Sequence, residues 1–337
     1  MSETQNDVVI SSRVRLARNY HDLPFSNLKN PANAQICIDR AREAYSEERP
    51  GDRYRFYMLR MLPKLDQLSL LEEHLISKDL LATSDIGAAL IRKDKCLSLM
   101  INEEDHLRIQ AMLPGLALTD AEQIAFEAEE KLQRKCDFSF DSQLGYLTAC
   151  PTNTGTGMRA SLMLHLPLLT ASKQMGSIGQ SIAKLGLTIR GIYGEGSEAL
   201  GDVYQVSNQV TLGRTEDEIV EAVLAVGKQL IDLENTLRER AARESLSLAD
   251  QISRSYGVLR YAMLMNGGEF MEHWSNLRLG AALRLLPVSL ETADELLSVA
   301  QEAHVKKYKH AVGKQDSTEA ARCEIIKQKL IVPPQEV

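Results

Sequence analysis

The sequence lacks any apolar run close to the ~20 residues that a membrane-spanning helix needs. Its first residues, Met1 to Asp7, are polar where a secretory leader would be apolar. It contains neither GxxxxGKS nor GxxxxGKT, and no GxGxxG ahead of a helix, which excludes the two commonest glycine-rich nucleotide cradles. The five cysteines (Cys37, Cys96, Cys136, Cys150 and Cys323) are odd in number and irregularly spaced, with no CxxC pair. That argues against a zinc site and a disulfide framework. Internal repeats and low-complexity segments are also missing. Positive charge is the scarcer sign, 39 Lys and Arg against 46 Asp and Glu, for a net charge of −7. This balance speaks against a nucleic-acid partner and is compatible with a basic substrate. These absences predict a cytoplasmic protein with no membrane or nucleic-acid partner. What remains is ordinary globular composition, 44% hydrophobic and 25% charged over 337 residues, enough for one large domain or two moderate ones.

The texture changes near Gly213. Before it, strand-like runs alternate with helices. Asn30 to Arg49 reads as a helix with Ile36, Ile38 and Ala41 among its apolar positions. Ile86 to Ile91 and Cys96 to Ile101 flank Lys93-Asp94-Lys95 as a hairpin. Thr119-Asp120-Ala121-Glu122 reads as a capping box opening a helix with Ile124, Ala128 and Leu132 on one face. Leu144 to Ala149, Met158 to Leu166, Leu187 to Ile192 and Val203 to Val210 read as strands, and Leu168 to Leu185 as a helix. The pattern predicts an α+β fold, a largely antiparallel sheet flanked by helices. After Gly213, a second capping box at Thr215 to Glu218 opens a helix with Ile219, Val223, Val226, Leu230 and Leu233 at helical spacing. Further helices are predicted over 246–265, 269–285, 290–308 and 317–330. The expected domains are therefore residues 1–213 and an all-helical 214–337.

Five segments concentrate reactive residue types. In Ser11-Ser12-Arg13-Val14-Arg15, strand alternation puts Arg13 and Arg15 on one face, where two guanidinium forks suit a polyphosphate; a solvated basic strand is the plain alternative. Asn102-Glu103-Glu104-Asp105-His106-Leu107-Arg108 sets three mutually repelling acids at a strand end, either a cation-binding turn or a solvated one. Cys150-Pro151-Thr152-Asn153-Thr154-Gly155-Thr156-Gly157-Met158-Arg159 forms a loop able to offer N–H groups and hydroxyls to a ligand, with Cys150 either a reactive thiolate or a small buried hydrophobe. Arg190-Gly191-Ile192-Tyr193-Gly194-Glu195-Gly196 reads as a closing loop or a plain turn. His74 follows Glu72-Glu73 at a helix end, where a structural role is the ordinary reading.

In this order, SSRVR, NEEDHLR, CPTN with the following GT and RAS, RG.YGE and VYQVSNQVTLG resemble the catalytic domain of the phosphagen (guanidino) kinase superfamily, over about residues 8 to 213. The resemblance implies ATP held by Ser11, Ser12, Arg13, Val14, Arg15, Arg108, Arg159, Ala160, Ser161, Leu162, Met163, Arg190, Gly191, Ile192, Tyr193, Gly194 and Glu195, with His74 a nucleotide contact. It implies catalytic roles for Glu104, for the mobile-loop Glu195 and for Cys150. The chemistry is coherent. A guanidinium is a poor nucleophile because it holds its proton up to pH ~12. Carboxylates can grip it, aim one nitrogen and favour proton loss, while arginines offset the phosphate charge of Mg-ATP.

Kinases of small guanidines in that superfamily carry a helical domain ahead of the SSRVR strand. Here only ten residues precede Ser11 and helices follow the catalytic half instead. This arrangement resembles the bacterial protein arginine kinases (McsB type). The resemblance implies Mg²⁺ with ATP, protein substrates with exposed arginine, a homodimer through the C-terminal helices, an activator protein and a Clp-type protease chaperone. It also implies a phosphoarginine-sensing R-D-x-x-R-A motif. The best match is Thr318-Glu319-Ala320-Ala321-Arg322-Cys323, which keeps only Arg322 and has Thr318 in place of the first arginine. A kinase for a small guanidine such as free arginine is the alternative enzyme. A pseudokinase adaptor or an inert helical oligomer would leave the charged clusters without a purpose.

Overall fold

A computed structural model describes residues 7–25, 30–46, 53–193, 199–313 and 317–331. Ten strands are named among the described residues: β1 (Val9–Arg18), β2 (Tyr54–Met58), β3 (Ala88–Arg92), β4 (Leu97–Ile101), β5 (Leu107–Pro114), β6 (Phe140–Asp141), β7 (Gly145–Tyr146), β8 (Met158–His165), β9 (Leu187–Tyr193) and β10 (Ala199–Asn208). Eight of them form one antiparallel sheet in the order β2-β3-β4-β5-β1-β8-β10-β9. Helices α1 (Pro31–Ala44), α2 (Lys64–Glu72), α3 (Lys78–Ala82), α4 (Leu118–Gln133), α5 (Pro167–Ala171) and α6 (Met175–Ala183) fall between strands. After β10 come α7 (Glu216–Glu244), α8 (Leu246–Tyr261), α9 (Gly267–Ala282), α10 (Leu290–Val299), α11 (Glu302–Val312) and α12 (Thr318–Lys329).

Alternation along β1 and β8 sorts their residues onto two faces. Val14, Leu16, Ala160, Leu162 and Leu164 are fully buried on one face, in a core shared with α1, α4 and α7. On the other face Met163 and Val203 meet the C-terminal helices around Trp274, while Ala89, Ile91 and Met100 meet Leu59, Leu75 and Leu80. Between these two apolar flanks lies a strip of polar side chains, and the site occupies it.

The predicted hairpin and the second capping box are present, the latter with Glu218 N–H donating to Thr215 Oγ1 at 3.2 Å. The first capping box does not form. α4 starts at Leu118 with Ala117 as its cap, and the Ala117 N–H is taken by Ser12 Oγ (2.9 Å), so a tertiary partner replaces the local one. The helix read over 168–185 breaks around Lys173, which has a positive φ of 59°, and the one over 290–308 breaks at Ala300-Gln301. Ile36 is exposed, whereas Ile38 and Ala41 are buried as read. α7 was read as the start of the helical half. It buries Ile219, Val223, Val226 and Leu230 in the core of the sheet.

Candidate active site

The strand register brings the predicted arginines together. Arg15 lies opposite Arg159 on β8 and opposite Gln110 on β5, and Arg108 lies two residues along β5 on the same face. Like charges set directly opposite one another destabilise a sheet. Burial, with Arg13, Arg108 and Arg159 close by, pulls the Arg15 guanidinium well below its ordinary range, and its buried Nε has no hydrogen-bond partner. Arg159 is lowered by burial and by Arg190 and Arg108. Such a crowd of guanidinium groups has the chemistry that suits a multiply charged anion. Arg13 is steadied by donating from Nη2 to Gln205 Oε1 (2.6 Å). His74 sits beside it with a positive φ of 58°, and burial and Arg13 push its imidazole down to about 4.

The three consecutive acids point three ways, which relieves the repulsion expected from sequence. Glu103 is buried, pairs with Arg108 and accepts from Ser77 Oγ. Asp105 is buried and accepts from Asn19 Nδ2 (2.6 Å) and the Ala149 N–H (2.7 Å), which fixes the loop leading to Cys150; the strand read over 144–149 is confined to Gly145–Tyr146. All three acids line the cleft, and Glu104 is the exposed one of them, with Asn153 Nδ2 at 3.5 Å from its Oε2. Partial burial, then repulsion from Asp105 and Glu103, raises the Glu104 carboxyl above its ordinary range. Arg15, Arg108, Arg159, Glu104, Cys150, Thr152 and Asn153 line one cleft of about 280 Å³. Cys150 Sγ lies 3.0 Å from Thr152 Oγ1.

The glycines of the Cys150 loop are there for space. Gly155 has φ +118°, and a Cβ on it would stand 2.3 Å from the Thr211 carbonyl oxygen. A Cβ on Gly157 would meet Arg18 Nη1 at 2.5 Å. Both approaches are too close for any other residue, so the loop can lie flat against the end of the sheet only with glycine.

Not every predicted residue faces the cleft. Ser12 is buried on the opposite face and donates to the Gly115 carbonyl (2.8 Å), and Val14, Ala160 and Leu162 are core residues of that face. They shape the strands that carry the arginines. Ser11, Ser161 and Met163 lie on the arginine face by alternation, Met163 within the apolar flank. Arg190 pairs in register with Gln205, while Gly191 and Ile192 continue β9 toward Tyr193. Gly194 and Glu195 lie outside the described residues. Arg322 is buried away from the cleft, its Nε donating to the Ala300 carbonyl (2.9 Å) and its Nη1 to that of Met265 (2.8 Å). Sequence reading missed the supporting roles of Glu103, Asp105, Asn153 and Gln205. Asn153 belongs to the CPTN segment, which was the available signal; the pairing of Gln205 with Arg13 had none.

The profile described as ATP:guanido phosphotransferase, C-terminal catalytic domain, matches residues 37–237, and that described as protein-arginine kinase McsB C-terminal domain matches 245–336. A protein-arginine kinase of Caldanaerobacter subterraneus is 43% identical over 310 residues, 91% of this chain and 92% of that protein. The chain belongs to the protein-arginine kinase family. A second relative of that name, from Syntrophomonas wolfei, is 43% identical over 97% of this chain and 92% of its own length. Among solved structures, lombricine kinase superposes with a TM-score of 0.60 at 27% identity, covering 69% of this chain and 68% of that one. The duplicated taurocyamine kinase of Schistosoma mansoni with bound transition-state-analogue components gives 0.62 at 26% identity, over 74% of this chain and 37% of that one. The antiparallel sheet with its arginine face is thus the guanidino-kinase catalytic fold, and the C-terminal helices are those of the protein-arginine kinase family.

Proposed function

We propose that this protein-arginine kinase transfers the γ-phosphate of Mg-ATP to arginine side chains of proteins with Glu104 as the base and the arginine face as the phosphate clamp. The observation that supports this most is that the exposed, proton-avid Glu104 lines the same cleft as the crowded guanidinium groups. Arg15, Arg108, Arg159 and Arg190 hold the ATP phosphates, with Arg13 and His74 beside them. Glu104 grips the incoming guanidinium and turns one nitrogen toward the γ-phosphorus. That nitrogen's lone pair forms the P–N bond, the bond from phosphorus to the β–γ bridging oxygen breaks, ADP leaves, and the nitrogen's proton passes to Glu104. Its raised proton affinity makes it the better base. Cys150 and Asn153 steady the acceptor from the facing loop, and Glu195, as the family resemblance implies, would supply a second carboxylate. Mg²⁺ enters with ATP as part of the substrate; the described residues hold no group of three or more His, Cys, Asp or Glu suited to a metal.

The helical region, from about residue 245 by its packing, dimerises the enzyme in this reading. Tyr261, Met263 and Leu264 are exposed at and just after the end of α8, apolar surface suited to a second copy. With the Arg322 fork donating to two carbonyls and Thr318 beside it, sensing of phosphoarginine there is weak or lost. A cytoplasmic setting, an activator protein and a Clp-type chaperone complete the proposal as the family resemblance frames it. Free arginine as substrate is not favoured, because the relatives and the C-terminal region belong to protein kinases of arginine. The test is mass spectrometry of an ATP-treated protein substrate kept out of acid, which preserves the P–N bond. Phosphate appearing on free arginine but on no protein would overturn the reading.

A further inference from the structure

α11, in the C-terminal helical region, touches the catalytic half at the end of α2, one residue from His74. His304 Nδ1 lies 2.8 Å from Glu72 Oε2, and its Nε2 lies 3.1 Å from Glu73 Oε1 and 3.2 Å from Ser69 Oγ. Glu72 also accepts the N–H groups of Ala303 (2.7 Å) and His304 (3.2 Å), so a carboxylate of one region caps a helix of the other. Lys95 approaches Glu73 from the β3–β4 turn at 2.6 Å, and Lys307 pairs with Asp66 at 2.8 Å along the same seam. Arg322 on α12 lies within electrostatic reach of Glu72, and also of Glu302 and Glu319. Beyond Glu73 the chain turns through His74, whose carbonyl accepts from Gln110 Nε2 at 2.6 Å, and Gln110 is the register partner of Arg15. An unbroken path of hydrogen bonds and chain therefore runs from α11 to the phosphate clamp.

We propose that His304 is a positioning residue for nucleotide binding: by bridging Glu72 and Glu73 it holds the end of α2 so that His74 and Gln110 keep the arginine face in register. The catalytic half then depends on a residue that the guanidino-kinase profile does not cover. The proposal rests on the kinase reading above.

The experiment uses the full chain, with Mg-ATP binding measured by calorimetry and transfer to a protein substrate measured as KM for ATP and kcat. His304→Gln keeps one donor and the shape, and so spares the fold. It is expected to weaken ATP binding and raise KM about tenfold, the order expected for one charge-assisted hydrogen bond, with kcat changed less than about threefold. His304→Arg, which restores a cation with two donors, should recover affinity. Lys307→Ala cuts the exposed pair on the same seam and should leave affinity within about twofold. Unchanged ATP affinity in His304→Gln, or equal losses in His304→Gln and Lys307→Ala, would overturn the role of His304. A parent chain that bound no ATP would instead overturn the kinase reading.

Discussion

On the open face of the sheet burial and the neighbouring guanidiniums of Arg13, Arg108 and Arg159 depress Arg15, burial with Arg190 and Arg108 depresses Arg159, and Glu103 pairs with Arg108. Along the seam between the sheet and the helices the arginines are matched. Arg238 pairs with Glu234 at 3.0 Å, and Arg278 pairs with Asp294 at 2.7 Å. Both guanidiniums donate to the Asp7 carbonyl, and Arg238 also donates to that of His165. Arg18 pairs with Glu129 and donates to the Ala17 and Thr156 carbonyls, although its buried Nη2 has no hydrogen-bond partner. The contrast separates two uses of one side chain. A buried arginine with its acceptors supplied is a strut, and removing it strands a charge or a carbonyl. An arginine crowded by its own kind costs the fold stability, and in the proposed function the ATP phosphates offset that charge.

The comparison can be broken most directly at Glu104, an exposed carboxylate lining the cleft of the crowded arginines. Glu104→Gln keeps the shape and removes the base, and the transfer rate should fall by at least ~10² with ATP affinity nearly unchanged. Near-normal turnover in a steady-state assay would remove Glu104 from the mechanism. Next, Arg159→Ala should weaken ATP binding and slow transfer together by roughly tenfold or more, with poor rescue by Arg159→Lys because lysine lacks the planar fork. Calorimetry showing unchanged affinity would move the clamp elsewhere. On the matched side, Arg238→Ala should cost about 3–5 kcal/mol of stability, because it leaves Glu234 buried and unpaired. Denaturant unfolding checks this, and a loss confined to ATP affinity would contradict the strut reading.

The smallest effect expected is on pH. The carboxylates Glu72 and Glu73 raise His304 from 6.5 to about 9. A raised imidazole stabilises the folded seam fully below about pH 6.5, and that contribution is lost as pH rises through about 9. The melting temperature should therefore sag over that interval more in the parent chain than in His304→Gln. Identical pH profiles would show that His304 is not charged in the folded protein.

Much of the site was legible in the sequence because its chemistry is local. The spacing of Arg13 and Arg15 on one strand, the acids directly after β4, and the glycines of the Cys150 loop each follow from rules that operate within a few residues. The sequence alone also determined the hairpin around Asp94, the capped start of α7 and the helical texture beyond it. Tertiary structure decided what those rules cannot reach. Ser12 could serve the clamp or the core until β1 was placed between β5 and β8, which turned it toward Gly115 and Ala117. Glu103, Glu104 and Asp105 are equivalent as letters. Only the positions of Arg108, Asn19 and Ala149 divide them into one paired carboxylate, one exposed carboxylate and one loop anchor. α7 is amphipathic in either domain, and its partner was settled by the apolar face that the sheet left uncovered. Hydrogen bonds and burial between residues more than a hundred positions apart depend on the whole packing, so periodicity specifies which face of an element is apolar and the assembled fold specifies what that face meets.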